Sequence, residues 1–303
     1  MKATIIHNFG YTYDRSVELG SHRFCLRPRS DGHQRLHSFI LQIIPHPSKQ
    51  FTLLSASNDE VIRAWFSGCT DRLTIKATSQ VSTCPYPPIA ECIAPVDKPL
   101  PYALSDRDRS LEGYTLGWLA NGQHDYAAVQ LAQEALMMSG DHQPLSFLSQ
   151  LIVVIKERIS YSLRHTGPAW PAGRTIREGI GSCRDLAMVF IESCRSIGLP
   201  ARFVSGYHLV EPPPERYELH AWAEVYLPGA GWRGFDPSGT GEINQRYIAI
   251  STPSDPIKAA AVQGTYSCPT AVKSNFNWNI TVDVSPEAPE APDESPDALL
   301  PSQ

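Results

Sequence analysis

Over the first 90 or so residues, apolar and polar side chains alternate in short runs such as Phe39–Ile44 and Leu73–Ala77. Turns of Pro, Gly, Asn and Asp separate the runs. A period of two with regular punctuation predicts half-buried strands and an all-β, sandwich-like domain. A proline-rich joint from Pro85 to Pro101 follows. Beyond it the apolar spacing changes to three and four, which predicts amphipathic helices over Asp125–Met138 and Pro144–Leu163.

A third helix is predicted to open at Cys183, because Gly181-Ser182 offers a tight turn and an N-cap ahead of a helix-forming run. Cys183, Leu186, Ala187, Phe190, Cys194 and Ile197 share one face, so the sulfur points inward at the edge of the core. Alternation then returns in Ala201–Leu209 and Leu219–Tyr226. In the second strand Leu219, Ala221, Ala223 and Val225 take one face and His220, Trp222, Glu224 and Tyr226 the other. Gly231–Asp236 is expected to return antiparallel, with Tyr247–Ile250, Gly264–Cys268 and Trp278–Val284 as closing strands. From Ser285 the chain is Pro, Glu, Asp, Ala and Ser, too poor in apolar area to order itself. The expected division is residues 1–95, an all-β domain; 96–284, an α+β core of helices on an antiparallel sheet, with the closing strands; and 285–303, a disordered tail.

Cys183, His220 and Asp236 are the candidate chemistry: a thiol nucleophile, a general base and a carboxylate to orient it. Free N–H groups at a helix start favour a thiolate over a thiol. His220 can meet Asp236 only if the hairpin between them places both on one face. A two-residue loop at Gly229-Ala230 puts them on opposite faces; a short loop around Leu227-Pro228-Gly229, or a bulge, puts them together. The Cys183 N–H is one donor for an oxyanion, with Trp170 and Tyr161 as candidates for a second. Trp222, Trp170 and Tyr207 are candidates for the substrate cleft, and the stiff loop Glu211–Tyr217 for one of its walls. Asp185 fits a capping role in the first helical turn, with Arg202 as another partner. Taken singly, each triad residue has a plainer reading as a packed thiol, a core imidazole or a strand end. Order, element type and flanking residues together point to the enzyme.

Gly-Ser-Cys-Arg-Asp-Leu-Ala at 181–187, Gly-Leu-Pro-Ala-Arg-Phe-Val-Ser-Gly-Tyr at 198–207, His220–Val225 and Gly231–Ser238 together resemble the bacterial transglutaminase-like superfamily. The resemblance implies a papain-like α+β core with Cys183, His220 and Asp236 at the positions of the family's triad. Arg184 departs from the pattern, standing where a glutamine is frequent. The front of the chain resembles the amino-terminal β region that accompanies this core in many bacterial members. His7, Tyr11, Tyr13, Leu26-Arg27-Pro28-Arg29, Gln34, Ile43-Ile44-Pro45 and Asn58–Val61 carry that match. A usual Gly-Asn pair is here Asn58-Asp59, which leaves the turn type open.

At 303 residues with 42% hydrophobic content the chain can bury substantial cores. A formal net charge of −5 without a Lys/Arg stripe argues against nucleic acid. No apolar run approaches the ~20 residues of a membrane span. Met1–His7 alternates at once and lacks the apolar stretch of a signal peptide, so a cytoplasmic location is expected. The seven cysteines are odd in number and form no CxxC pair, which predicts reduced thiols, with a Cys84–Cys92 bridge as the minor alternative. No cofactor or calcium loop is indicated. The expected partner is a protein or peptide substrate, and the sequence carries no signal of oligomeric state. Hydrolysis of peptide or isopeptide amides is the favoured activity; acyl transfer to an amine and a non-catalytic scaffold are the alternatives.

Overall fold

The computed structural model describes residues 1–93, 99–102, 109–239 and 241–285. Parts of the proline-rich joint and the whole tail from residue 286 lie outside them.

The front of the chain is built on β1 (Lys2–Phe24), followed by β2 (Gln34–Ile44), β3 (Lys49–Leu54), β4 (Glu60–Trp65) and β5 (Cys69–Thr83). These strands form an antiparallel sheet in the order β2-β5-β1-β4-β3. Residues 2–12 of β1 pair with β5, while His22–Phe24 pair with β4. Phe9, Phe24, Ile43, Ile62 and Ile75 share one apolar cluster. The two halves of one long strand therefore contribute to the same apolar cluster within a single sheet.

After the short helix α1 (Ile89–Cys92) come α2 (Tyr126–Ser139) and α3 (Pro144–Arg158). Asp125 caps α2 by accepting from the Ala127 N–H at 3.0 Å. The second helix stops at Arg158, short of the expected Leu163, because Ile159 turns extended and Ser160–Tyr161 becomes strand β6. Then follow α4 (Ala172–Glu178), β7 (Ile180–Gly181), which pairs parallel with β6, and α5 (Cys183–Ser196). The core sheet comprises β8 (Ala201–His208), β9 (Leu219–Leu227), β10 (Gly231–Asp236), β11 (Gly241–Glu242) and β12 (Tyr247–Ser251), in the order β11-β10-β9-β8-β12. Helix α5 is buried from Asp185 to Arg195. Ala221, Ala223, Val225 and Leu227 share its apolar cluster, so this helix is a core element and its first residue is held in place. Burial of a side chain such as Phe190 contributes about 1.5–3 kcal/mol.

The last two strands differ from expectation. β13 (Val262–Ser267) and β14 (Ser274–Ser285) pair with β1 and not with the core sheet. Lys2–Tyr13 would otherwise present an unpaired edge, and β14 covers it along its whole length.

Three buried polar contacts join the front sheet to the core. Arg29 and Arg202 both bond the Glu224 carboxylate, at 2.5 and 2.6 Å. The Gln34 side chain donates to the Ala249 carbonyl and accepts from the Ala249 N–H, both at 2.8 Å, and so completes the edge of β12. Asp59 accepts from Ser251 Oγ at 2.8 Å and from the Thr252 N–H at 3.1 Å. Removing one member of a buried charged set such as Arg29–Glu224–Arg202 costs about 3–5 kcal/mol. Asn58, at φ 61°, takes the left-handed conformation a glycine would supply, which closes the turn before Asp59. Arg29, Gln34 and Asp59, three of the residues that carry the resemblance of the front region, are thus docking residues.

Candidate active site

The hairpin that decides the site closes with Leu227 opposite Gly231. The Ala230 N–H donates to the Leu227 carbonyl at 3.0 Å, and Gly229 at φ 82° takes the position that a type II turn after Pro228 reserves for glycine. The three-residue loop sets the register Arg233↔Val225 and Phe235↔Ala223. Continued by one residue, it sets Asp236 opposite Trp222, on the face that also holds His220. His220 Nε2 and Asp236 Oδ2 lie 2.7 Å apart.

Asp236 is fully buried and every lone pair has a donor. Ser238 donates to Oδ1 through its N–H at 2.9 Å and its Oγ at 2.6 Å. Tyr247 from β12 donates to Oδ2 at 3.0 Å. Burial alone would raise this carboxyl; the bonds from His220 and Ser238 overcome it and lower it to about 2. For His220 burial works against the imidazolium, but the hydrogen bonds and charges of Asp236 and Cys183 outweigh it and raise the ring to about 10. Nε2 is thus on Asp236, Nδ1 is left free of the carboxylate, and Cys183 lines both lobes of the cleft with the ring.

Cys183 owes its place to the turn before it. A Cβ on Gly181 would lie 2.9 Å from Leu186 and Thr175 side-chain atoms, so only glycine lets the chain enter the helix so closely. Asp185, fully buried, ties down the first turn. It accepts from the Ser182 N–H and Oγ at 2.9 and 2.7 Å, the Trp170 N–H at 2.7 Å and Arg164 Nη2 at 2.5 Å. This is the expected capping role, with Arg164 in place of Arg202 as the charged partner; Arg202 is engaged with Glu224.

Two lobes of a cleft, about 450 and 370 Å³, meet at Cys183, Arg184 and His220. Pro214, Arg216 and Tyr217 of the proline loop wall the second lobe, as expected. Phe9 and Tyr11 of β1 and Phe276 of β14 wall the first. The front sheet is therefore one side of the cleft.

The proposed cleft residues lie elsewhere. Trp222 is wholly buried and meets Tyr247 edge-on at 5.3 Å. Tyr207 is buried and its hydroxyl lies 3.1 Å from His7 Nδ1. Trp170 lies under the guanidinium groups of Arg164 and Arg174, at 4.7 and 3.9 Å. None of the three lines either lobe. Large aromatics fill space, and a strand pattern does not separate a core filler from a cleft wall. Tyr161 does line the second lobe, where burial and the nearby Cys183 raise its hydroxyl to about 12.

Two residues that bond Asp236 escaped sequence reasoning. Ser238 was findable, since Asp-Pro-Ser forms an Asx-type turn. Tyr247 had no local signal. His208 is half-buried and stacked on Tyr247 at 4.0 Å. Burial first, then the charge of His220, lower its ring to about 4. His208, His220 and Asp236 offer ligand atoms within 4.8 Å of one another, and hydrogen bonding already accounts for the carboxylate. All seven cysteines are free thiols, so no Cys84–Cys92 bridge forms. No helix among the described residues is long and apolar enough to cross a membrane.

Residues 130–237 match the model of the transglutaminase-like superfamily core, and residues 3–82 that of the bacterial transglutaminase-like N-terminal region. An uncharacterised Mycobacterium tuberculosis protein is 26% identical, with 93% of this chain and 92% of that protein covered. One from Mycobacterium leprae is 22% identical over 87% of this chain and 92% of its own length. The crystal structure of a candidate cysteine protease from Cytophaga hutchinsonii superposes with a TM-score of 0.69 at 20% identity, covering 95% of this chain and 93% of that one. The chain thus belongs to the transglutaminase-like superfamily and carries the bacterial N-terminal region in front of a papain-like core.

Proposed function

We propose that the protein is a thiol hydrolase of peptide or isopeptide amides, with Cys183 as nucleophile, His220 as acid and base, and Asp236 as the group that orients the ring. One observation carries this reading: a single imidazole 2.7 Å from a buried carboxylate lines, together with the Cys183 thiol, both lobes of the cleft. The Cys183 sulfur attacks the amide carbonyl carbon, and the C=O electron pair moves to oxygen. The Cys183 N–H, which no intrahelical acceptor uses, is available to that oxyanion. Collapse breaks the C–N bond, and His220 gives its proton to the leaving nitrogen. A thioester remains on Cys183. His220, now neutral, takes a proton from water, the hydroxyl adds to the thioester, and the acid leaves as the thiol is restored. Tyr247 and Ser238 act through Asp236 as positioning residues.

Hydrolysis is favoured over transfer to an amine because Cys183 and His220 are only partly covered, so water reaches the thioester from either lobe. The test measures both fates of one acyl-enzyme: peptide amide cleavage and incorporation of a labelled primary amine, followed in parallel and stopped by a thiol alkylator. Cleavage should exceed incorporation at every amine concentration up to the millimolar range. Incorporation that overtakes cleavage would make the protein a transferase.

A further inference from the structure

Arg184 is the residue of the nucleophile motif that the reaction above leaves without a task. It lines both lobes beside Cys183 and His220. Its Nη2 donates to the carbonyls of Arg164 and Thr166. Its Nε is buried without a partner, and among the described residues it bonds no carboxylate. The neighbouring Asp185 does not serve it, because its oxygens are committed to Arg164, Trp170 and Ser182. Burial, then repulsion from Arg164, weaken the hold of Arg184 on its proton, so the charge sits there at a cost that an incoming anion would remove.

The surroundings have the same sign. The second lobe is lined by Arg164, Arg184 and Arg216; Arg164 is paired with Asp185 and the lobe's one carboxylate, Glu218, is 3.2 Å from His165, which leaves Arg184 and Arg216 without a carboxylate partner among the described residues. Yet the chain as a whole carries a formal charge of −5. Positive charge gathered at the mouth of a half-buried cleft in an acidic protein raises the local concentration of anionic ligands. A guanidinium with donors to spare also matches the planar fork of a carboxylate.

We infer that Arg184 is a specificity-determining residue that binds a carboxylate next to the scissile amide, so that the substrate is an acidic peptide. This rests on the thiol-hydrolase reading for its substrate, but the anion site itself can be measured without turnover.

The test compares alkylation of Cys183 by iodoacetate, which carries a carboxylate, and by iodoacetamide, which does not. Rates are read at the Cys183 peptide by mass spectrometry, which separates it from the six other thiols. In Arg184→Gln the iodoacetate to iodoacetamide rate ratio should fall by roughly fivefold or more, the scale of one nearby charge at moderate screening. Arg184→Lys should keep most of the ratio, and added salt should lower it in the wild type. If Arg184 only orders the Arg164–Thr166 loop, Arg184→Gln slows both reagents alike; that outcome, or an unchanged ratio, overturns the inference. Should Arg184→Gln fail to fold, a wild-type ratio insensitive to salt overturns it as well. The second arm uses peptides matched in all but Glu or Gln at each position flanking the cleaved bond. The wild type should prefer Glu at one position by about tenfold, and Arg184→Gln should lose that preference while still cleaving the Gln peptide. No Cys183-dependent cleavage of any peptide would sink the hydrolase reading, while the alkylation ratio would still report the anion site.

Discussion

Cys183→Ala should abolish amide cleavage, lowering kcat by roughly 10⁴- to 10⁶-fold, the usual cost of removing a nucleophile, while the melting temperature barely moves. The two effects separate because of where the residue lies. Cys183 opens α5 and is only partly covered. The helix is held by other residues: the buried Asp185 and the apolar cluster from Leu186 to Cys194. Loss of one sulfur at a cleft edge leaves no enclosed cavity, unlike a truncation in the interior. Activity assays beside thermal unfolding of both proteins check this. A variant that cleaves peptide as fast as the wild type would leave a scaffold as the surviving reading.

Asp236→Asn should be the next most damaging change, lowering kcat by roughly 10²- to 10⁴-fold. Asparagine keeps the shape but not the charge that holds the proton on His220. In the native protein that ring is raised to about 10 despite its burial. The wild-type rate should therefore fall on the alkaline side only as pH climbs toward that value, as the imidazolium that protonates the leaving nitrogen is lost. Without the Asp236 charge, burial becomes the dominant influence on His220. Burial favours the neutral ring, so the alkaline limb should move down, toward or below the ordinary imidazole value of about 6.5. The check is kcat/KM against pH for both proteins. A limb at the same pH in both would mean that Asp236 does not govern the ring.

Much of the site could be read from the chain because its chemistry is local to two elements. A helix N-terminus announces itself through Gly181, Ser182 and Asp185, and the meeting of His220 with Asp236 reduces to a parity condition on one hairpin. Pro228 and Gly229 satisfy that condition with a turn whose residue preferences are known. What stayed hidden depends on contacts between distant segments. Tyr247 reaches Asp236 from β12 on the far side of the sheet, and β14 returns to the first strand of the chain. Periodicity marks a strand but does not name its neighbour. The same limit explains the aromatic residues. Trp222 shares a strand face with His220, but Tyr247 covers it, whereas Phe9 and Phe276 reach the cleft from a sheet that sequence alone gave no reason to place there.

The front sheet also takes part in the cleft. Arg29, Gln34 and Asp59 fix it to β9, β12 and the segment after β12, and its strands then form one wall of the cleft. It is attached through the strand that carries His220, so docking and site geometry are coupled.

The most direct measurement is an acid quench during turnover of a slowly hydrolysed acyl substrate, followed by mapping of any covalent adduct. A thioester should be found on Cys183, formed before the acid product appears and absent from Cys183→Ala. Steady turnover with no adduct on that sulfur, or an adduct on another residue, would contradict the account.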